Sequence, residues 1–244
     1  TLSRHATRRH RPVVIAPFDL ALERELWRRV PTEVSLHLAR TPDEPVPVSM
    51  GMARLVSNSA HLAAATRDVL HTEPGVVAYL CTSGSFVNGV DAERNLRETI
   101  CGAGAPDTVT TSGHRPKCCG NPTSTESPLL TPYGADLTAK LRDFPDELNV
   151  ATVSSATLDS VRHPEVSYRT VAERILDADH EAAEAVFISC TNPPTYDGIA
   201  PLENAIDKPV LTANQLTMWA RLNRMGSPIV GPGRWLREVS SLLE

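Results

Sequence analysis

From Pro12 onward, short apolar runs alternate with amphipathic stretches, and that alternation predicts parallel βα units. Strands are expected at 13–16, 33–38, 76–81, 129–131, 149–153, 185–190 and 210–212. Helices are expected at 20–29, 59–71, 91–101, 133–144, 168–183, 201–205 and 215–225. Within 59–71, Leu62, Ala65, Val69 and Leu70 make one stripe, as a helix lying on a sheet requires. Most of the 20 prolines fall between these elements, where they punctuate the chain rather than break it.

The pattern also repeats itself. Residues 60–85 run helix, short break, apolar strand, then Cys81-Thr82-Ser83-Gly84. Residues 172–192 run helix, short break, apolar strand, then Cys190-Thr191-Asn192. The two cysteines stand roughly 110 residues apart, about one small domain. Two related halves facing one another would set them on opposite walls of a single cleft. Both lie at the carboxyl ends of strands, where open α/β sheets place their ligands.

Composition narrows the class. Hydrophobic residues at 41% and charged residues at 22% describe an ordinary globular chain. A net charge of −5 argues against nucleic acid or an anionic membrane as partner. No apolar run approaches the roughly 20 residues that span a bilayer. Five cysteines without repeated spacing give no disulfide framework, which points to a reducing, cytoplasmic compartment. Residues 1–11 are basic and polar and lack the apolar stretch of a secretory signal. They read as a disordered leader rather than a transit peptide.

One segment breaks the pattern. Residues 114–127 (HRPKCCGNPTSTES) have neither helical nor strand period, yet occupy the place of a helix and strand of the second half. A disordered loop, a metal-binding patch, a redox pair at Cys118-Cys119 and a reading-frame artefact all remain open. Read one frame over with GC-rich codons, the stretch becomes a helix-then-strand pattern running into Leu129.

The chemistry concentrates at the two Cys-Thr steps. Only a thiolate is nucleophilic, and its ordinary pKa lies near 8.5. Small hydroxyl and glycine residues after a strand expose backbone N–H groups, which lower a thiol pKa and cradle a carboxylate. A lone cysteine ending a strand reads as a buried apolar residue, and Cys101, late in a helix, reads that way. The duplication sets Cys81 and Cys190 apart. Two opposed thiols suit a reaction in which one group attacks or takes a proton on one face and the other supplies a proton. No Walker loop, post-strand GxGxxG, HExxH or spaced Cys/His set occurs, so neither cofactor nor metal is expected.

At these residues the chain resembles the aspartate/glutamate racemase superfamily. It looks most like the branch holding maleate cis-trans isomerases and arylmalonate decarboxylases. The resemblance runs through LCTSGSFVNG (80–89), TTSG (110–113), LTPYGADL (130–137) and the long stretch 189–226, with its Cys-Thr-Asn, Pro-Leu-Glu, Lys-Pro-Val and Asn-Gln steps in order. It implies an α/β fold of two pseudo-symmetric flavodoxin-like halves, each a three-layer parallel-sheet unit, with the active site between them. On this chain the first half would be 12–112 plus 213–244 and the second 113–212.

The resemblance also implies a cofactor-independent isomerase acting on a small carboxylate, and leaves homo-oligomerisation open. Amino-acid or hydantoin-type racemases, decarboxylases and a non-catalytic carboxylate-binding protein stand as alternatives. Decarboxylases of the branch keep the second cysteine and carry glycine at the first position, so the presence of both points to isomerase or racemase chemistry. Carried over, Cys81 would be the nucleophile and Cys190 the acid/base. Thr82, Ser83, Thr191 and Asn192 would hold carboxylates, and Tyr133 would donate a hydrogen bond or simply open a helix. Two places depart from the pattern. A Pro-Ser-Ser-Asn-like loop is replaced by Pro17-Phe18-Asp19-Leu20, and an Asn after the fifth strand by Asp159-Ser160. An acid at position 19 would repel a dicarboxylate unless it points away, which puts maleate itself in question as the substrate; Asp19 is expected instead to cap the helix that follows it.

Overall fold

A parallel sheet buried on both faces needs strands that are apolar at every position. The run Val13-Val14-Ile15-Ala16 meets that condition and is wholly buried. The computed structural model describes residues 11–43, 46–113, 127–147, 152–157 and 166–241. In it β1 (Val13–Ala16), β2 (His37–Arg40), β3 (Val77–Tyr79) and β4 (Thr108–Thr110) form one sheet in the order β2-β1-β3-β4. β5 (Ser127–Thr131), β6 (Thr152–Thr157), β7 (Val186–Ile188) and β8 (Val210–Thr212) form a second, in the order β6-β5-β7-β8. Every pairing is parallel. The two sheets therefore share one winding, and β3 and β7 occupy the same place in it.

The helices are α1 (Leu20–Trp27), α2 (Met50–Val56), α3 (Ser59–Val69), α4 (Thr82–Phe86), α5 (Val90–Gly102), α6 (Ala135–Glu147), α7 (Tyr168–Ala178), α8 (Ile199–Ile206), α9 (Ala213–Arg224) and α10 (Arg234–Ser241). Alternation along the strands sends successive side chains to opposite faces. Val14, Ala16 and Ala78 join Leu22 and Leu26 of α1 and Met218 and Leu222 of α9. Val13, Ile15, Val77 and Tyr79 join Leu62 of α3 and Ile100 of α5. In the second sheet Leu130, Val186 and Ile188 pack with Val171 and Ile175 of α7. Leu129, Phe187 and Leu211 face the other way, with Leu141 and Phe144 of α6 and Trp235 of α10. Phe86 of α4 enters this last cluster, its ring 5.8 Å from Tyr133 and 6.4 Å from Phe144. That cluster joins the second sheet to α2 and α4, which flank the first. The tail serves both as well, since α9 packs on β3, β4 and β8 and α10 on β8.

Several expected elements shift. The strand expected at 33–38 forms at His37–Arg40, because Leu36 and Val34 turn into the core beneath the sheet edge rather than pairing. Thr108–Thr110, α2 and α4 are too short to carry a readable period, and α10, as long as α1, is a further helix outside the expected set. Residues 1–10 and 114–126 lie outside the described residues, so the leader and the Cys118-Cys119 readings do too. Among the described residues no helix is long and apolar enough to cross a membrane.

The halves are also tied by charge. Glu25, on α1 and nearly fully buried, accepts four hydrogen bonds. Its Oε1 receives the Thr195 and Tyr196 N–H groups, and its Oε2 receives Thr195 Oγ1 at 2.8 Å and Asn214 Nδ2 at 2.9 Å. Thr195 and Tyr196 belong to the loop after β7, so a carboxylate of one half fastens the loop that carries Cys190 in the other. Arg28 reinforces the contact, stacked 3.7 Å over Tyr196 and paired with both oxygens of Asp197. Glu25→Ala leaves this set of buried donors unpaired and is expected to cost about 3 kcal/mol or more. Glu25→Gln should also destabilise, because an amide must turn hydrogens toward groups that are themselves donors. Urea denaturation of both variants checks this; an unchanged midpoint would contradict it.

Candidate active site

Cys81 lies two residues beyond β3 and Cys190 two residues beyond β7, so equivalent strands deliver both thiols to the same end of the fold. Between them is a cavity of roughly 240 Å³ lined by both cysteines, Thr82, Ser83, Tyr133, Thr191 and Asn192. Each residue carried over as catalytic or substrate-binding thus reaches one cavity. Its remaining wall comes from Pro17, Phe18 and Asp19 after β1 and from Pro42, Asp43, Val46, Val48, Met52 and Val56.

Cys81 occupies the N-cap position of α4 and is buried. Ser83 Oγ lies 3.7 Å from its sulfur. Gly84 is required here by space, because a Cβ would collide with the Tyr79 hydroxyl and sit 3.3 Å from the Cys81 sulfur. Tyr79 cannot give way, as its hydroxyl donates to Val56 O at 2.8 Å. The Thr-Thr-Ser-Gly step supports the same turn: Ser85 Oγ donates to Ser112 Oγ at 2.7 Å, and Ser112 Oγ to Thr82 O at 3.3 Å.

Cys190 is half-buried and has φ +78, in the left-handed region that a side chain rarely enters. Such strain persists only where the surroundings over-determine it. Here Asn214 Nδ2 bridges Thr191 O at 3.0 Å and Glu25, and the next residues hang on Glu25. The Asn-Gln step of the sequence is thereby explained. Pro-Leu-Glu is explained likewise, since buried Glu203 accepts from the backbone N–H of Val210 and of Arg234.

Tyr133 is buried, edge-on to Phe86, and its hydroxyl lies near Cys190 and Ser189 without a full hydrogen bond to any described residue. Thr82 Oγ1 is also buried without a partner among the described residues. Asp19 departs from expectation. It stands at the N-cap position of α1 yet makes no side-chain cap bond. Its Oδ2 instead accepts from Thr191 Oγ1 at 2.5 Å. Thr191, expected to hold a ligand carboxylate, has its hydroxyl committed to a protein carboxylate. Asp159-Ser160 lies outside the described residues.

Burial dominates the electrostatics. It raises the Asp19 pKa to about 6, with the Thr191 hydrogen bond and Arg40 pulling the other way. It pushes Cys81 up to about 11 and Cys190 higher still, and the Asp19 charge adds to both. The backbone amides of Gly84 and Asn192 partly offset this. Tyr133 rises well above its ordinary value, through burial and then Cys190. Both thiols are therefore neutral at pH 7 when no ligand is bound. Among the described residues no lysine, arginine or histidine lines the cavity, and no His/Cys/Asp/Glu cluster is placed to hold a metal ion.

Reading the sequence alone missed Glu25 as a clamp and the wall from 42 to 56, and for Asp19 it favoured a helix cap over a place at the ligand cavity, where the structure puts it. For that wall the usable signal was Ser49, which caps α2 by accepting from Met52 N at 3.1 Å. For Asp19 it was the loop position shared by Pro17-Phe18-Asp19 after β1 and Pro132-Tyr133-Gly134 after β5, strands that correspond in the two sheets.

Two like sheets whose corresponding strands bring a pair of thiols to one cavity define an aspartate/glutamate racemase-like α/β protein. The arylmalonate decarboxylase family model matches residues 51–235, and the chain belongs to that family. A maleate isomerase of Alcaligenes faecalis is 26% identical over 102 residues, a stretch covering 40% of either protein. The solved structure of arylmalonate decarboxylase superposes with a TM-score of 0.75 at 20% identity, over 93% of this chain and 99% of that one. A Nocardia farcinica maleate cis-trans isomerase mutant, solved with a covalently bound succinylcysteine intermediate, superposes with a TM-score of 0.79 at 16% identity, over 94% and 98%.

The sign of the Asp19 effect can be checked. A carboxyl whose pKa is raised on folding stabilises the native state below the unfolded value near 4, and that contribution is lost as pH rises through about 6. Asp19→Asn should therefore raise the melting temperature at pH 7.5 by a few degrees and give no such gain at pH 4. The same variant removes a negative charge beside both sulfurs, so iodoacetamide should alkylate Cys81 several-fold faster at pH 8. Peptide mass spectrometry reads the rate at each cysteine; unchanged rates would rule out electrostatic coupling to Asp19.

Proposed function

We propose that the chain is a cofactor-independent two-cysteine isomerase acting on a small carboxylate, most like a maleate cis-trans isomerase. The observation that carries this reading is that Cys81 and Cys190, supplied by equivalent strands of two sheets, line one cavity. A cavity of this size suits a ligand smaller than the drug-sized molecules that fill larger clefts. The hydroxyls of Thr82 and Tyr133 supply neutral donors for a carboxylate. Family membership and the covalent cysteine intermediate in the Nocardia relative support the same chemistry.

In this mechanism Cys81 first gives its proton to solvent, then attacks as a thiolate and forms a carbon–sulfur bond to one alkene carbon. The electron pair of the double bond moves to the other carbon, which takes the proton of Cys190. The remaining single bond rotates. The Cys190 thiolate then removes a proton from that carbon, the double bond re-forms in the trans geometry, and the carbon–sulfur bond breaks. Since both thiols rest in the neutral form, the rate should rise with pH above 7 until Cys81 is ionised.

Proton NMR of the alkene signals tests the proposal with maleate and its monoamide, maleamate, as probes. We expect conversion to the trans isomer, lost by about 10³-fold or more in Cys81→Ala and in Cys190→Ala. Wild-type turnover in either variant would refute the two-thiol mechanism. Carbon dioxide released from an arylmalonate with dependence on Cys190 alone would instead indicate a decarboxylase.

A further inference from the structure

We propose that Asp19 makes the cavity selective for a ligand with a single carboxylate and, on the Thr191 side, a hydrogen-bond donor such as an amide or ammonium group in place of a second carboxylate. The inference rests on the carboxylate-isomerase reading and names its substrate class.

Three observations carry it. The first is how the hydroxyl donors are used. Thr82 and Tyr133 line the cavity and their buried hydroxyls make no full hydrogen bond among the described residues, Tyr133 lying close to Cys190 and Ser189, so both hydroxyls can turn to a ligand carboxylate. Thr191 Oγ1 is spent on Asp19 Oδ2. On that side the cavity wall holds the Asp19 carboxylate as well as Asn192, and the carboxylate is an acceptor that pairs with a donor and opposes an anion.

The second is charge. Asp19 and Asp43 both line the cavity, and among the described residues no cation does. Arg40 acts on Asp19 electrostatically, but its guanidinium is engaged elsewhere, donating to Pro17 O at 2.5 Å and to Glu23 at 2.8 Å. A dianion would thus enter a partly buried site whose described wall holds two carboxylates and no cation, with the nearby Arg40 already engaged, and there like charges repel more strongly than in water.

The third is the apolar part of the wall, which lies apart from the donors Ser83 and Asn192 in the sequence. Phe18, Val46, Val48, Met52 and Val56 offer hydrocarbon surface and no donor side chain. They accept the carbon skeleton of a ligand and cannot compensate a second charge.

Maleate and maleamate differ by one group, a carboxylate against an amide, and so form a matched pair of probes. Their dissociation constants are to be measured by isothermal titration at pH 8 in a Cys81→Ala background, which stops turnover, with and without Asp19→Asn. The same comparison of kcat/KM in enzyme with both cysteines gives a second reading. We expect maleamate to be favoured by at least about tenfold when Asp19 is present, since tenfold needs only about 1.4 kcal/mol of discrimination. Asp19→Asn should bring the two within about twofold, chiefly by improving maleate; Asp19→Ser replaces it if the Asn variant does not fold. Equal binding, a preference for maleate, or a ratio unmoved by Asp19→Asn would overturn the selectivity and leave the isomerase reading standing. Binding of neither probe would overturn both. A preference for maleamate without isomerisation would uphold the selectivity and remove the isomerase reading.

Discussion

The carboxylate of Glu25 is the contact on which the arrangement of the site depends. It sits on the first helix, is almost entirely buried, and takes donors from Thr195, Tyr196 and Asn214. A buried carboxylate is costly unless its oxygens are satisfied, and here the satisfying groups come from the other end of the chain. The same bonds that meet this cost hold the loop after β7. Because that loop is held at Thr195 and, through Asn214, at Thr191, Cys190 can be kept at φ +78. Strain at a reactive residue is sustained by over-determination around it. The fully buried Arg29, whose pKa burial lowers to about 10, draws its compensation from the same Glu25.

The two thiols share a position in their sheets but not an environment. Cys81 begins a short helix packed against Gly84 and Tyr79, with no room for any residue larger than glycine at 84. Cys190 lies in a strained loop facing Tyr133 and Asp19. Burial and the Asp19 charge act in one direction on both, and the amides of Gly84 and Asn192 act in the other. The resting site therefore stores its protons. This suits an addition–elimination cycle in which one thiol gives a proton while the other bonds to carbon.

Pseudo-symmetry explains much of the architecture and fails where specificity is set. After β5 the chain reads Pro132-Tyr133-Gly134, and the tyrosine is buried with its hydroxyl near Cys190 and Ser189. After β1 it reads Pro17-Phe18-Asp19, with Phe18 58% exposed and the acid turned to Thr191. A donor on one side and an acceptor on the other make the cavity polar in a fixed sense. Two symmetric halves thus enclose an asymmetric site.

Much of this was legible in the chain. Unbroken apolar runs ending in Cys-Thr specify parallel strands buried on both faces, because only such strands tolerate hydrophobic side chains on every position. Their recurrence specified two halves, and Cys81, Thr82, Ser83, Tyr133, Cys190, Thr191 and Asn192 all reach one cavity. Short elements such as α2, α4 and β4 escaped because three to seven residues carry too little periodicity to separate helix from strand or loop. For Asp19 the local sequence allows both a helix cap and an acid beside the ligand, and only the tertiary contact with Thr191, 172 positions away, decides where its carboxylate goes. Glu25 was invisible for the same reason: a carboxylate in an amphipathic helix looks solvated until a distant loop covers it. Local hydrophobic pattern determined the strands, the repeat and the thiol pair. The partners of the charged groups were decided by packing between residues far apart in the chain, since what a buried charge costs depends on which donors the folded structure brings to it.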